Sequence, residues 1–195
     1  MKLDPSLLAG CFSVVAGSHV KLSEGQGEDI ILAGKIKQKS VEDVINIFRL
    51  KTGEAIKVSL LTGAVAGEAP ETDIKTLENF SYWFGIAYQI RDDLNEFREE
   101  DKRSNLYDFP FLLVLLKDVM DSLNSGFDKI IDEGDIDMFI ARIEQFGIVE
   151  KAEMYYHDYI GRCYAELDKL ENRKIRLALY HVLGKVFKDN EFDRQ

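Results

Sequence analysis

The sequence predicts an all-α fold, a bundle of long helices. Three observations carry that expectation. Nearly every segment of the 195 residues spaces its apolar side chains at helical intervals, and none alternates as a half-buried strand would. The prolines, Pro5, Pro70 and Pro110, lie far apart, so long helices are permitted between them. The hydrophobic fraction of 46% is enough for a packed core and argues against a disordered chain. The length fits one domain, residues 1–195, with 188–195 as a frayed polar tail.

The first helix covers about 5–30. Gly34 and the basic stretch from Lys35 to Lys39 make a loop. Ser40 followed by Asp43 is a capping box, which opens a second long helix ending near Gly67 as its C-cap. Pro70 and Thr72 restart the chain, and a third helix runs to about Arg98. Residues 99–107 are a charged loop. A fourth helix extends from Pro110 to about Leu123. Gly126 and Gly134 bracket a short connection. Asp135 then caps a fifth helix that ends near Gly147, and two more cover about 149–169 and 172–187.

The third helix is the most informative. From Asn79 to Ile90, NFSYWFGIAYQI, it has no charged residue. A helix without charge on any face for three turns is surrounded by protein. It then breaks into Arg91-Asp92-Asp93-Leu94-Asn95-Glu96. Gly85, Gln89, Asp92 and Glu96 are separated by steps of four, three and four and share one face, with Asp93 one position round. Carboxylates below a Gln at the mouth of an enclosed helix suit a hard cation such as Mg²⁺, which takes a few carboxylate oxygens plus waters and phosphates. The plainer reading is a solvated helix end.

Two other places stand out. Lys51-Thr52-Gly53 sits in mid-helix, where Thr and Gly are poor choices unless packing or a ligand requires them. Lys51 offers a point charge to a phosphate, with the Thr52 hydroxyl beside it. Gly25-Gln26-Gly27 reads as the end of the first helix, with Gln26 and Asp29 one turn apart and able to line one cavity.

Net charge of −10 disfavours a nucleic acid or an anionic membrane as partner. The longest unbroken apolar run, Phe109 to Leu116, is short of a bilayer span, and the N-terminus lacks a signal-peptide pattern, so the expected location is the cytoplasm. Cys11 and Cys163 are isolated thiols, and His19, His157 and His181 lack metal-ligand spacing.

Taken together, these residues resemble the trans-isoprenyl diphosphate synthases, or polyprenyl synthetases. GQGEDI resembles that family's GQxxDL segment. SVEDVINIFRLKTGEAIKVSLLTGAVAGEAP resembles the helix bearing its KT motif. FGIAYQIRDDLNEF resembles GxxFQxxDDxxD, the second aspartate-rich motif, and FGIVEKAEMYYHDYIGRCYAELDKL resembles the closing helices. The likeness covers about residues 8–187. It implies an isoprenoid synthase-like bundle lacking the N-terminal helices, and Mg²⁺-dependent condensation of an allylic diphosphate with isopentenyl diphosphate. It further implies that Asp92, Asp93 and Glu96 hold Mg²⁺, that Lys51 and Thr52 contact the allylic diphosphate, that Gln89 orients the site, and that Gln26 and Asp29 line it. Lys102 or Arg103 stands where the family's loop lysine is expected.

The family's first motif, DDxxD followed by arginines, does not occur, and Glu96 replaces the last Asp of the second. Three readings follow: a fragment of a longer synthase, a non-catalytic regulatory subunit of a full-length synthase, or an unrelated all-α interaction protein. The isolated chain is expected to have little prenyl-transfer activity. It is also expected to form a homo-oligomer, or to pair with a missing N-terminal half or a full-length synthase, because a bundle without its front helices exposes apolar faces.

Overall fold

The computed structural model describes residues 4–187; the tail at 188–195 lies outside the described residues. Among the described residues the regular structure is helical, without strands. In order the helices are α1 (Pro5–Lys35), α2 (Val41–Phe48), α3 (Glu54–Ala66), α4 (Glu71–Arg98), α5 (Pro110–Ser122), α6 (Phe127–Glu133), α7 (Ile136–Gln145), α8 (Ile148–Leu167) and α9 (Arg173–Val186). α4 lies in the middle, with α8 on one flank, α3 on the other, and α1 outermost against α3.

The start signals read from sequence behave as expected. Asp43 accepts from the Ser40 backbone N–H while Ser40 Oγ accepts from that of Asp43, the reciprocal box that opens α2. Asp135 accepts from Met138 N at 2.9 Å and opens α7. Throughout the charge-free run of α4 no residue is exposed. The apolar stretch of α5, Phe111 to Leu116, is buried on every side, and Phe97, Phe109 and Phe139 pack around its start, the Phe97–Phe109 pair edge to face at 5.4 Å.

Three boundaries differ from expectation. α1 does not end near residue 30 but continues to Lys35, so Gly25 and Gly27 are interior. The expected second helix is interrupted by one wide π-type turn, Arg49–Gly53, between α2 and α3. The connection between Gly126 and Gly134 is a helix, α6, flanked by these two glycines in the left-handed conformation at φ 78° and 62°. Seven residues are too few to display a helical period in sequence.

α1 is unusual in what it buries. Cys11, Ser18, Gly25 and Leu32 are its buried residues, seven apart, so a single seam holds it to the rest. Several of its large apolar side chains face outward, with Phe12 65% and Ile30 78% exposed. The stretch Pro5–Gln38 is long and apolar enough to cross a membrane by length and composition, and 11% of its most apolar window is buried. That departs from the expectation drawn from unbroken apolar runs, because α1 intersperses its apolar residues with small and charged ones. The seam against α3 and the wide turn nevertheless ties it to the bundle.

Candidate functional site

The wide turn at Arg49–Gly53 is held between two glycines. A Cβ on Gly25 of α1 would lie 2.7 Å from both the Lys51 backbone N and Leu50 Cβ. A Cβ on Gly85 of α4 would lie 2.6 Å from Gly53 Cα and 2.9 Å from the Thr52 carbonyl carbon. Neither distance is tolerated by real side chains, so α1, the turn and α4 touch backbone to backbone. Behind the turn, Glu54 is fully buried. It pairs with Lys57 at 2.6 Å and Lys21 at 3.7 Å, and accepts a hydrogen bond from Tyr82 Oη at 2.9 Å. This polar network, with Tyr82 packed on Gly53, fixes the turn from the side away from Lys51.

Lys51 then points into a cavity of about 820 Å³ at the end of α4. Asp29, Lys51, Gln89, Asp92, Asp93 and Glu96 all line it. Six of the nine residues named as site candidates from sequence therefore face one hollow. Gln26 is exposed and Thr52 partly buried, and neither is among the lining residues. The side chain of Lys102 lies outside the described residues. Lys51 Nζ is 2.8 Å from Asp29 Oδ2, and both side chains are partly buried.

The carboxylates of α4 have different surroundings. Asp93 is buried, and its Oδ2 accepts from the Phe111 N–H at 2.8 Å, satisfying one of the free donors at the start of α5. Burial, together with the charges of Glu96 and Asp92, pushes the Asp93 carboxyl well above the usual carboxylate range, against the Phe111 bond and Lys51. Asp92 is more open and lies 3.2 Å from an Arg91 guanidinium nitrogen. Arg91 also donates to the Val186 carbonyl and stacks between Tyr88, at 4.5 Å, and Phe187, at 5.5 Å. The last turn of α9 is thereby fastened next to the acidic cluster.

Sequence reasoning missed the opposite wall. Asp101, Ser104 and Tyr107 come from the expected charged loop at 99–107, and Asp108 follows it directly. Buried Leu106 and Phe109 anchor it, and Arg103 stacks on Phe97 at 4.6 Å, folding it back over the cavity. Within this segment the sequence had pointed only to Lys102 or Arg103, and these four residues carried no signal of their own.

The donor set is compatible with Mg²⁺ in a particular way. No group of three or more His, Cys, Asp or Glu among the described residues converges to hold a metal ion. Asp92 and Glu96 nevertheless present hard oxygens to a polar hollow on one helix face. One or two carboxylates, with waters and phosphate oxygens completing the shell, is how Mg²⁺ is ordinarily held beside a phosphorylated ligand.

The chain is similar to known proteins over most of its length. A family model described as polyprenyl synthetase matches residues 6–105. The chain is 25% identical over 193 residues to a short chain isoprenyl diphosphate synthase of Methanothermobacter thermautotrophicus, covering 90% of this chain and 58% of that one. It is 25% identical over 182 residues to heptaprenyl diphosphate synthase component 2 of Geobacillus stearothermophilus, covering 86% of this chain and 57% of that one. Its fold is similar, with a TM-score of 0.77 and 22% identity, to a geranylgeranyl pyrophosphate synthase of Corynebacterium glutamicum in complex with isoprenyl diphosphate and magnesium, covering 94% of this chain and 56% of that one. The chain thus spans rather less than two thirds of these relatives.

Proposed function

The chain belongs to the polyprenyl synthetase family, and from that premise we propose that it carries the diphosphate-binding part of a prenyl-transfer centre. The reaction is condensation of an allylic diphosphate with isopentenyl diphosphate, dependent on Mg²⁺. The supporting observation is that Lys51 and the Asp92–Glu96 face line one cavity from different elements. Asp92, Glu96 and, once ionised, Asp93 hold the cation. Lys51 meets the diphosphate as a point charge, with Thr52 adjacent. Gln89 orients the group from one turn above Asp92, and Asp29, Gln26 and the Lys102 segment border the site. When bound, Mg²⁺ neutralises the charge that gathers on the departing diphosphate. Lys51 adds to that stabilisation through its position on the wide turn, where its partly buried ammonium lines the cavity. The family's other carboxylate cluster, which has no counterpart in residues 1–195, comes from a further segment or chain. Residues 1–195 act as one domain in this reading, and the location is cytoplasmic.

Melting of the chain with and without Mg²⁺ and inorganic pyrophosphate tests this. A ligand of the native state stabilises by mass action, about 2.7 kcal/mol at a hundredfold excess over Kd. Together the two are expected to raise Tm, each alone far less, and Lys51→Ala is expected to abolish most of the rise. No change with both present would overturn the reading.

The outward apolar face of α1 is assigned to protein contact, either with a second copy or with a further synthase chain. Patches of this kind drive association. The relative termed component 2 fits a multi-subunit arrangement. Sedimentation at micromolar concentration is expected to give a dimer or larger, and Phe12→Asp with Ile30→Asp to dissociate it. A clean monomer for the unaltered chain contradicts this assignment.

A further inference from the structure

The cavity carries an imbalance of charge that bears on how it admits a ligand. Asp92, Asp93, Glu96, Asp101 and Asp108 line it, and Lys51 is its one cation among the described lining residues. That cation is already engaged, its Nζ 2.8 Å from Asp29 Oδ2. The pairing is dictated by the backbone. Gly25 brings α1 into contact with the Lys51 N–H, and Asp29, one turn further along α1, then falls beside the Lys51 ammonium. Without a ligand, the hollow therefore offers an incoming anion carboxyl groups and a lysine that is already paired.

We propose that Asp29 is the built-in counter-anion of Lys51. It occupies the ammonium where a diphosphate oxygen would sit, and a diphosphate must displace it. This rests on Lys51 being the diphosphate contact proposed above. The consequence is selectivity by charge. A bare diphosphate meets only carboxylates and a neutralised lysine, so it is excluded. A diphosphate accompanied by divalent cations is admitted, because the cations take up the α4 carboxylates and the diphosphate takes Lys51 from Asp29. Asp29 is in this sense a specificity-determining residue of the site, not a structural ion pair. The two side chains are 29% and 25% exposed, and thermal melts of the Asp29 variants check that the fold is kept when the pair is broken.

Titration calorimetry with inorganic pyrophosphate at fixed Mg²⁺ tests the inference, using the whole chain. Asp29→Asn is nearly isosteric and removes the counter-charge. It is expected to tighten pyrophosphate binding about tenfold, which corresponds to ~1.4 kcal/mol, and to permit weak binding without Mg²⁺. Asp29→Ala serves as a second variant with the same expected direction. The gain is expected to vanish in Lys51→Ala/Asp29→Asn relative to Lys51→Ala alone, because the two residues act through each other. Unchanged or weaker binding by both Asp29 variants overturns the inference. So does a gain that persists without Lys51, since Asp29 would then be only one more negative charge. If Lys51→Ala in the native background leaves pyrophosphate binding unchanged, it is the proposed function that fails, and the two failures are thereby distinguishable.

Discussion

Gly85→Ala is expected to lower the melting temperature by about 6–12 °C. The added carbon would stand 2.6 Å from Gly53 Cα and 2.9 Å from the Thr52 carbonyl carbon. These are backbone atoms of the wide turn, which cannot swing aside as the end of a side chain can. Overpacking of a core costs typically about 1–3 kcal/mol, and an overlap with backbone belongs at or above the upper end. In a domain of this size each kcal/mol shifts Tm by about 2–4 °C. The turn also carries Lys51, so separating α4 from it withdraws the lysine from the cavity, and pyrophosphate-dependent stabilisation should be lost in the same variant. Gly161 of α8 provides the control. Nothing lies within 4 Å of a Cβ placed there, so Gly161→Ala should raise stability by up to about 1 kcal/mol through helix propensity. Equal behaviour of the two variants in thermal melts would remove the glycine clamp from the account.

The second large effect concerns pH. Asp93→Asn is expected to stabilise the ligand-free chain at pH 8, by something of the order of 5 °C, while leaving it almost unchanged in acid. Burial raises the Asp93 carboxyl well above the usual carboxylate range in the folded chain. Between its ordinary pKa and that raised value, the folded chain keeps a proton that the unfolded chain has released. Stability therefore falls as pH rises through this window. Asparagine removes the slope and keeps an oxygen for the Phe111 N–H, which Asp93 accepts at 2.8 Å. Tm measured from pH 4 to pH 9 checks the difference. A native chain more stable than the variant at pH 8 would show that the buried carboxylate is compensated by something other than Phe111. Mg²⁺ with pyrophosphate should reverse the order, because only the aspartate gains from a nearby cation.

What was legible in the sequence follows from which signals are local. The capping box at Ser40 and Asp43, the cap at Asp135 and the enclosure of α4 each depend on residues within a few positions, and all three hold in the structure. The length of α1 was not legible because Gly25 and Gly27 carry low helix propensity and read as a terminus. Gly25 is there for contact with Leu50 and Lys51, a residue pair far away in the chain. The wide turn was flagged by Thr52 and Gly53, yet its type was not visible, since one extra residue per turn barely disturbs the apolar pattern. In the cavity, the face formed by Gln89, Asp92 and Glu96 could be read from spacing within one helix. The wall bearing Asp101 and Asp108 could not, because it depends on how Leu106 and Phe109 anchor a returning loop.

The narrow attachment of α1 has a consequence for how the molecule breathes. Four small or apolar residues at seven-residue steps are all that this long helix buries, while α4, α5 and α8 bury whole faces. Segments with few buried contacts open at a fraction of the global unfolding free energy. α1 is thus held by fewer buried side chains than α4 or α8, and any opening of it carries Asp29 and one side of the cavity with it. A partner that covered the outer face of α1 would tighten the pocket from behind without touching it.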